Sequence, residues 1–223
     1  MSAGRPVRPT RWFRGADLAT RAHVALRWAT GPFPGVVALL PTSGSLLDWG
    51  AGHGLLGLAW ARGGVERRVS SVDIDPAKVA AARAAADAAG LAGQIEVRLV
   101  GSDELPTGSW DAVVLDDVLY LLAPAEQERL ARAAARAVAP GGRLICKEMA
   151  RSPRWKHRLA DAQERITVGR LSISASASGV QPFPDPAVVA GWLAGEGLDV
   201  TSVPLDHRHH VPHVAVVGVR PAE

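Results

Sequence analysis

Residues 46–57, LLDWGAGHGLLG, constrain this chain more than any other stretch. Leu46 and Leu47 close a short apolar run, Asp48 follows, and glycines occupy positions 50, 52 and 54. Leu55, Leu56, Leu58, Ala59 and Trp60 then begin an apolar segment of helical character. Strand, glycine-rich turn and helix is an arrangement in which backbone comes very close to a ligand. Glycine tolerates positive φ there and has no side chain to block the approach. N–H groups left without partners at the start of a helix attract an anionic group. A tight turn that only joins two elements would look similar, so the rest of the chain has to decide.

Upstream, Asp17 is expected to cap a helix to about Ala29, with Leu18, Ala22, Ala25, Leu26 and Ala29 on one face. Gly31-Pro32 ends it, and a second short helix runs from Pro34 to Leu40. This pair would act as a lid over a site or simply pack on the sheet. Downstream, residues 69–73 form a strand ending in Asp73, and Pro76 opens an alanine-rich helix that Gly90 stops. Residues 95–100 alternate as a third strand. Trp110 to Leu115 reads as a strand buried on both faces, ending in Asp116-Asp117. A helix from Pro124 to Val138, a turn at Pro140-Gly141-Gly142 and a fifth strand from Arg143 to Lys147 follow.

Beyond Glu148 the pattern changes. A basic helix is expected over 154–168, a serine-rich loop or edge strand over 171–179, and a helix over 187–196. Two strands, 198–205 and 214–219, are joined by a loop short enough to pair them antiparallel. Alternation of strand and helix up to that point predicts an α/β fold with a doubly wound, mostly parallel sheet. Ligands then bind at the carboxyl ends of its strands.

A chain of 223 residues fits one such domain (41–223) behind an N-terminal arm and helical cap (1–40). Its 25 basic and 22 acidic residues, a net charge of +3, give no strong field for nucleic acid. The single cysteine, Cys146, rules out an internal disulfide. With no signal-peptide pattern and no membrane-length apolar run, a cytoplasmic protein is expected.

Gly52-His53-Gly54-Leu55-Leu56-Gly57 matches the dinucleotide pattern G-x-G-x-x-G, and Asp73 stands 21 residues beyond Gly52, where a ribose-binding acid would lie. Three features separate that reading from another. Asp48 precedes the glycines, Asp103 and Asp116 follow the third and fourth strands, and the chain ends in a helix and an antiparallel pair. LLDWGAGHG, VDIDP, GSDELP, WDAVVLDDVLYLL and VAPGGRLICKE, in that order, resemble the class I S-adenosylmethionine-dependent methyltransferases. The resemblance runs from about residue 40 to the end. Trp49 departs from it, standing where a small aliphatic residue is usual, and GSDELP is one residue short.

The resemblance implies a Rossmann-like seven-stranded sheet with an antiparallel last strand, and S-adenosylmethionine as methyl donor. It implies donor contacts from Asp48, Gly50, Gly52, Gly54, Asp73 and Ile74, from Ser102 or Asp103 at the adenine, and from Asp116. Asp73 would accept both ribose hydroxyls, and Asp48 or Asp116 the ammonium.

Methyl transfer needs alignment and, for a hydroxyl or amine, removal of a proton. Glu148, Asp117 and His157 are the candidate bases. The loop Asp206 to His213 holds four histidines, yet its spacing matches no standard metal site and none is expected. The expected function is O- or N-methylation of a small molecule. An RNA methyltransferase that uses the basic N-terminal arm and the basic helix, a module that binds the donor without consuming it, and a nicotinamide dehydrogenase are the alternatives.

Overall fold

The computed structural model describes residues 9–149, 184–205 and 213–222. A 3-10 turn at Pro9–Phe13 leads into α1 (Leu18–Thr30) and α2 (Phe33–Leu39). There follow β1 (Gly44–Trp49), α3 (Leu55–Ala61), β2 (Arg67–Asp73), α4 (Pro76–Ala89), β3 (Ile95–Leu99) and β4 (Trp110–Asp116). A short 3-10 turn at Leu119–Leu121 precedes α5 (Pro124–Arg136), and β5 (Val138–Met149), α6 (Pro186–Ala194), β6 (Asp199–Pro204) and β7 (His213–Val219) complete the fold.

The seven strands form one sheet in the order β3-β2-β1-β4-β5-β7-β6. β1 to β5 are parallel, and β7 runs antiparallel between β5 and β6. The chain therefore winds outward both ways from β1 and β4, which leaves a crevice beyond their carboxyl ends. Alternate strand residues feed two apolar layers. Leu46, Val69, Val114 and Ile145 meet the 3-10 turn and α1 to α4, whereas Leu47, Val72, Val113, Leu115 and Leu144 meet α5 and α6.

Two expectations need correction. The face of α1 that Leu18, Ala22, Ala25, Leu26 and Ala29 share is not the one that packs: Leu18 is 78% and Leu26 43% accessible, whereas Val24 is fully buried. Alanines contribute little apolar area. On the opposite face Trp28 stacks on Phe33 at 5.3 Å, and Arg27 and His23 find partners in the site. Those contacts set the roll of the helix.

The turn expected at Pro140-Gly141-Gly142 lies instead inside β5, which bends there without breaking. The Gly141 N–H donates to Arg220 O, and the Arg220 N–H to Gly142 O, both at 3.0 Å. A Cβ on Gly142 would stand 2.9–3.0 Å from three carbonyl oxygens, so only glycine lets the bend pass this closely. The expected elements at 154–168 and 171–179, residue His157 and most of the histidine loop lie outside the described residues. Among the described residues, no helix is long and apolar enough to cross a membrane.

Candidate functional site

The glycine loop joins β1 to α3 at the centre of the crevice. Gly50, Gly52 and Gly54 all have positive φ, at 74°, 55° and 71°. Gly50 is doubly required, since a Cβ there would meet Val118 at 2.6 Å. The Gly50 and Ala51 N–H groups both donate to Val72 O at 2.9 Å, which ties the loop to β2.

Asp73 completes this half of the site. Its Oδ2 accepts the Gly52 N–H at 2.7 Å and its Oδ1 the Asp75 N–H at 2.9 Å. One carboxylate thus orients the loop and the entry to α4. Each oxygen retains a lone pair for a further donor.

On the same face of the sheet stand Asp48 of β1, Asp116 of β4 and Lys147 of β5. Asp48 is 2% exposed and its Oδ2 has no hydrogen-bond partner among the described residues. Burial, then the nearby Asp116, pushes its carboxyl up to about 7. Lys147 is fully buried, with Nζ 2.5 Å from Asp117 Oδ2 and 3.3 Å from Asp116 Oδ1. Arg27 reaches in from α1, its Nη1 2.7 Å from Asp117 Oδ2 and its Nη2 3.6 Å from Asp116 Oδ2.

Two carboxylates and two cations therefore neutralise one another at the strand ends. Burial works against the Asp117 charge, but Lys147 and Arg27 outweigh it and hold this carboxyl well below the usual range. Asp117 also adopts positive φ, 57°, which an aspartate tolerates, with its N–H on Lys147 O at 2.9 Å.

Glu148 points to the other face. Its Oε1 accepts the Leu119 N–H at 3.1 Å and its Oε2 has no hydrogen-bond partner among the described residues. Burial, reinforced by Asp117, raises its carboxyl well above the ordinary value. Cys146 is buried in the apolar layer beside α5, where desolvation raises its thiol.

The N-terminal elements close over the loop. His53, between Gly52 and Gly54, lies 5.1 Å from His23 of α1 and 6.2 Å from Phe13, ring centre to ring centre. Burial lowers both imidazoles to about 4; the partner His53 adds to this at His23, and Lys78 at His53. The guanidinium of Arg62 sits 5.7 Å from the ring centre of Trp12.

The structure thus gathers Asp48, the three glycines, Asp73, Asp116, Asp117 and Glu148 at the carboxyl ends of β1, β2, β4 and β5. Ile74, 51% exposed, follows directly on Asp73. Ser102 and Asp103 are exposed in the loop beyond β3, where Glu104, not either of them, accepts the Gly101 N–H at 2.6 Å. Sequence reasoning missed Arg27, Lys147 and His23. Lys147 had a signal: a lysine inside an apolar strand. The four-residue spacing of His23 and Arg27 on one helix face was another.

Comparison with known proteins agrees with this geometry. Residues 46–142 match the family model for a methyltransferase domain. Over 208 residues the chain is 29% identical to the ubiquinone biosynthesis O-methyltransferase of Xanthomonas oryzae pv. oryzae, covering 86% of this chain and 83% of that protein. It is 37% identical over 135 residues to the ribosomal RNA small subunit methyltransferase C of Chromohalobacter salexigens, covering 57% of this chain but 38% of the relative. The fold is shared with an O-methyltransferase family protein from Burkholderia thailandensis, at a TM-score of 0.69 and 20% identity. That match takes in 95% of this chain and 62% of the other, so this chain spans under two thirds of its length. Motif order, strand order and the match of residues 46–142 converge in support of a class I S-adenosylmethionine-dependent methyltransferase.

Proposed function

We propose that this protein transfers a methyl group from S-adenosylmethionine to a hydroxyl or amine of a small molecule, with an acidic hydroxyl as the favoured acceptor. One observation carries the acceptor class. The similarity to a small-molecule O-methyltransferase extends over most of both chains, whereas that to the RNA enzyme covers a minor part of the relative. A match over most of both chains is the stronger support for a shared acceptor class.

The residues present fit the donor. Asp73 has lone pairs left for two ribose hydroxyls while it keeps the Gly52 and Asp75 N–H groups. Asp48 offers an ammonium a buried carboxylate oxygen that has no hydrogen-bond partner among the described residues, and Asp116, already ion-paired with Lys147, adds its charge beside it. The N–H groups of the loop Gly50 to Gly54 suit a carboxylate, while Ile74 and Ser102 or Asp103 border the adenine. When bound, the donor supplies a methyl group already activated on a sulfonium. The protein's remaining task is to align the acceptor and take up its proton.

Of the candidate bases, Asp117 is paired with two cations and is thereby a weak proton acceptor. Burial raises the Glu148 carboxyl well above its ordinary value, so while protonated it orients the acceptor by hydrogen bonding, and once ionised it is the stronger base of the two. His157 stays the third candidate. An acceptor acidic enough to lose its proton with little help suits such a site. α1 and the 3-10 turn, clasped to the loop through His23 and Phe13 and to the end of β4 through Arg27, form the cap over the donor.

Incubation with methyl-labelled donor and a panel of phenols, catechols, amines and structured RNA tests the reading. Label in a small hydroxylated acceptor, with none in RNA, is the expected result. Label in RNA, with salt-sensitive binding lost on deletion of residues 1–15, would replace it with the RNA reading.

A further inference from the structure

Beneath the glycine loop lies a carboxyl group with no counter-ion among the described residues. Asp48 is 2% exposed, and none of them supplies its Oδ2 with a hydrogen bond. The neighbouring strands bring like charge toward it, Asp73 from β2 and Asp116 from β4, while α3 offers only the Gly57 N–H. Ser71, its register partner on β2, has a hydroxyl that likewise lacks a hydrogen-bond partner among the described residues. Both line the space beside Gly57, where a Cβ would stand 2.9 Å from Ser71 Oγ and 3.6 Å from Asp48 Oδ2.

The cations of the site are committed elsewhere. Lys147 from β5 and Arg27 from α1 make their ion pairs with Asp116 and Asp117, and among the described residues no ion pair reaches Asp48. His53 in the loop and His23 on α1 are held neutral near pH 7. A buried carboxylate facing two others with one N–H for support is costly when charged. Burial, with Asp116, accordingly brings it to about 7.

We propose that Asp48 is the proton-exchange group of the donor site: it carries a proton while the donor is absent and releases it when the donor's ammonium arrives beside it. This rests on the donor reading above. The carboxyl O–H bond breaks heterolytically, the proton leaves to solvent and the electron pair stays on the carboxylate, which then faces the ammonium. A cation enters and a proton departs, so the charge of the buried site changes little. Donor affinity consequently rises with pH through the range in which Asp48 titrates.

Calorimetric titration of S-adenosylmethionine into the intact protein, in buffers of different ionisation enthalpy, counts the protons exchanged. At about pH 6 an α-amino group is already protonated, so any release then comes from the protein. Release of close to one proton per donor at that pH is expected, falling toward zero by about pH 8.5. Asp48→Asn keeps the shape and cannot titrate, and it should bind the donor at about pH 6 without release. Should that variant not fold, the wild-type count decides alone. Donor binding without proton release, or release that persists in Asp48→Asn, overturns the inference and leaves the donor reading intact. Failure of the donor to bind at any pH overturns that reading itself.

Discussion

The two halves of the site are built by opposite means. On the β1–β2 side the backbone does the holding: Gly52 and Asp75 donate N–H groups to Asp73, and the loop hangs from Val72 O. On the β4–β5 side four charged side chains hold one another, and one of them, Arg27, comes from 90 residues away in the chain. Dipoles fixed by backbone geometry leave carboxylate lone pairs open to a ligand. A closed cluster of ion pairs satisfies itself and is expensive to disturb. Substitutions in the first half should therefore cost donor binding above all, and those in the second should cost the fold.

The largest stability effect is expected at Lys147. Lys147→Met removes a fully buried cation and leaves Asp116 and Asp117 sharing Arg27 alone, at a cost of about 3–5 kcal/mol in urea or thermal unfolding. A loss below about 1 kcal/mol would show that the cluster is not what holds these strand ends.

Next comes Gly50→Ala, where positive φ combines with the collision against Val118. About 2–3 kcal/mol of stability should go, and donor affinity with it, because the loop itself must shift. Retained affinity in that variant would blur the distinction between the halves.

Arg27→Met should be milder, at about 1–2 kcal/mol, because the guanidinium is 34% exposed and its pairs are partly screened. Its sharper readout is faster backbone hydrogen exchange in α1, while Gly50 to Gly54 stay protected.

A smaller effect follows from His23 and His53. Both pKa values are lowered, so the unfolded chain takes up protons first as the pH falls. Stability contributed by the neutral pair is complete above about pH 6.5 and declines toward about pH 4. Replacing His23 with Gln should flatten that decline in pH-resolved thermal melts. An unchanged slope would remove the imidazole pair from the account.

These halves also differ in how far they could be read in advance. Glycines at 50, 52 and 54 and the acid at 73 were legible because each answers a local requirement, a positive φ or a strand end, that only certain residues meet. Strand order followed from alternation and from the short final loop. Asp116 and Asp117 were legible as positions, but their state was not, because it depends on Lys147 and Arg27 arriving from other elements.

The roll of α1 failed for the same reason. Periodicity gathers Leu18, Ala22, Ala25, Leu26 and Ala29 on one face, yet Val24, Arg27 and Trp28 have the stronger partners and turn inward. Likewise the bend at Pro140 to Gly142 looked like a turn because the pairing that carries the strand through it comes from Arg220. Long-range partners, not local propensity, decided each case.

Calorimetric titration of S-adenosylmethionine into the wild-type protein and the Asp73→Ala variant tests the central claim most directly, with circular dichroism confirming that the variant folds. Loss of two hydrogen bonds to a charged acceptor predicts at least about a hundredfold weaker binding. Undiminished affinity in a folded Asp73→Ala protein would contradict the assignment of this crevice to the methyl donor.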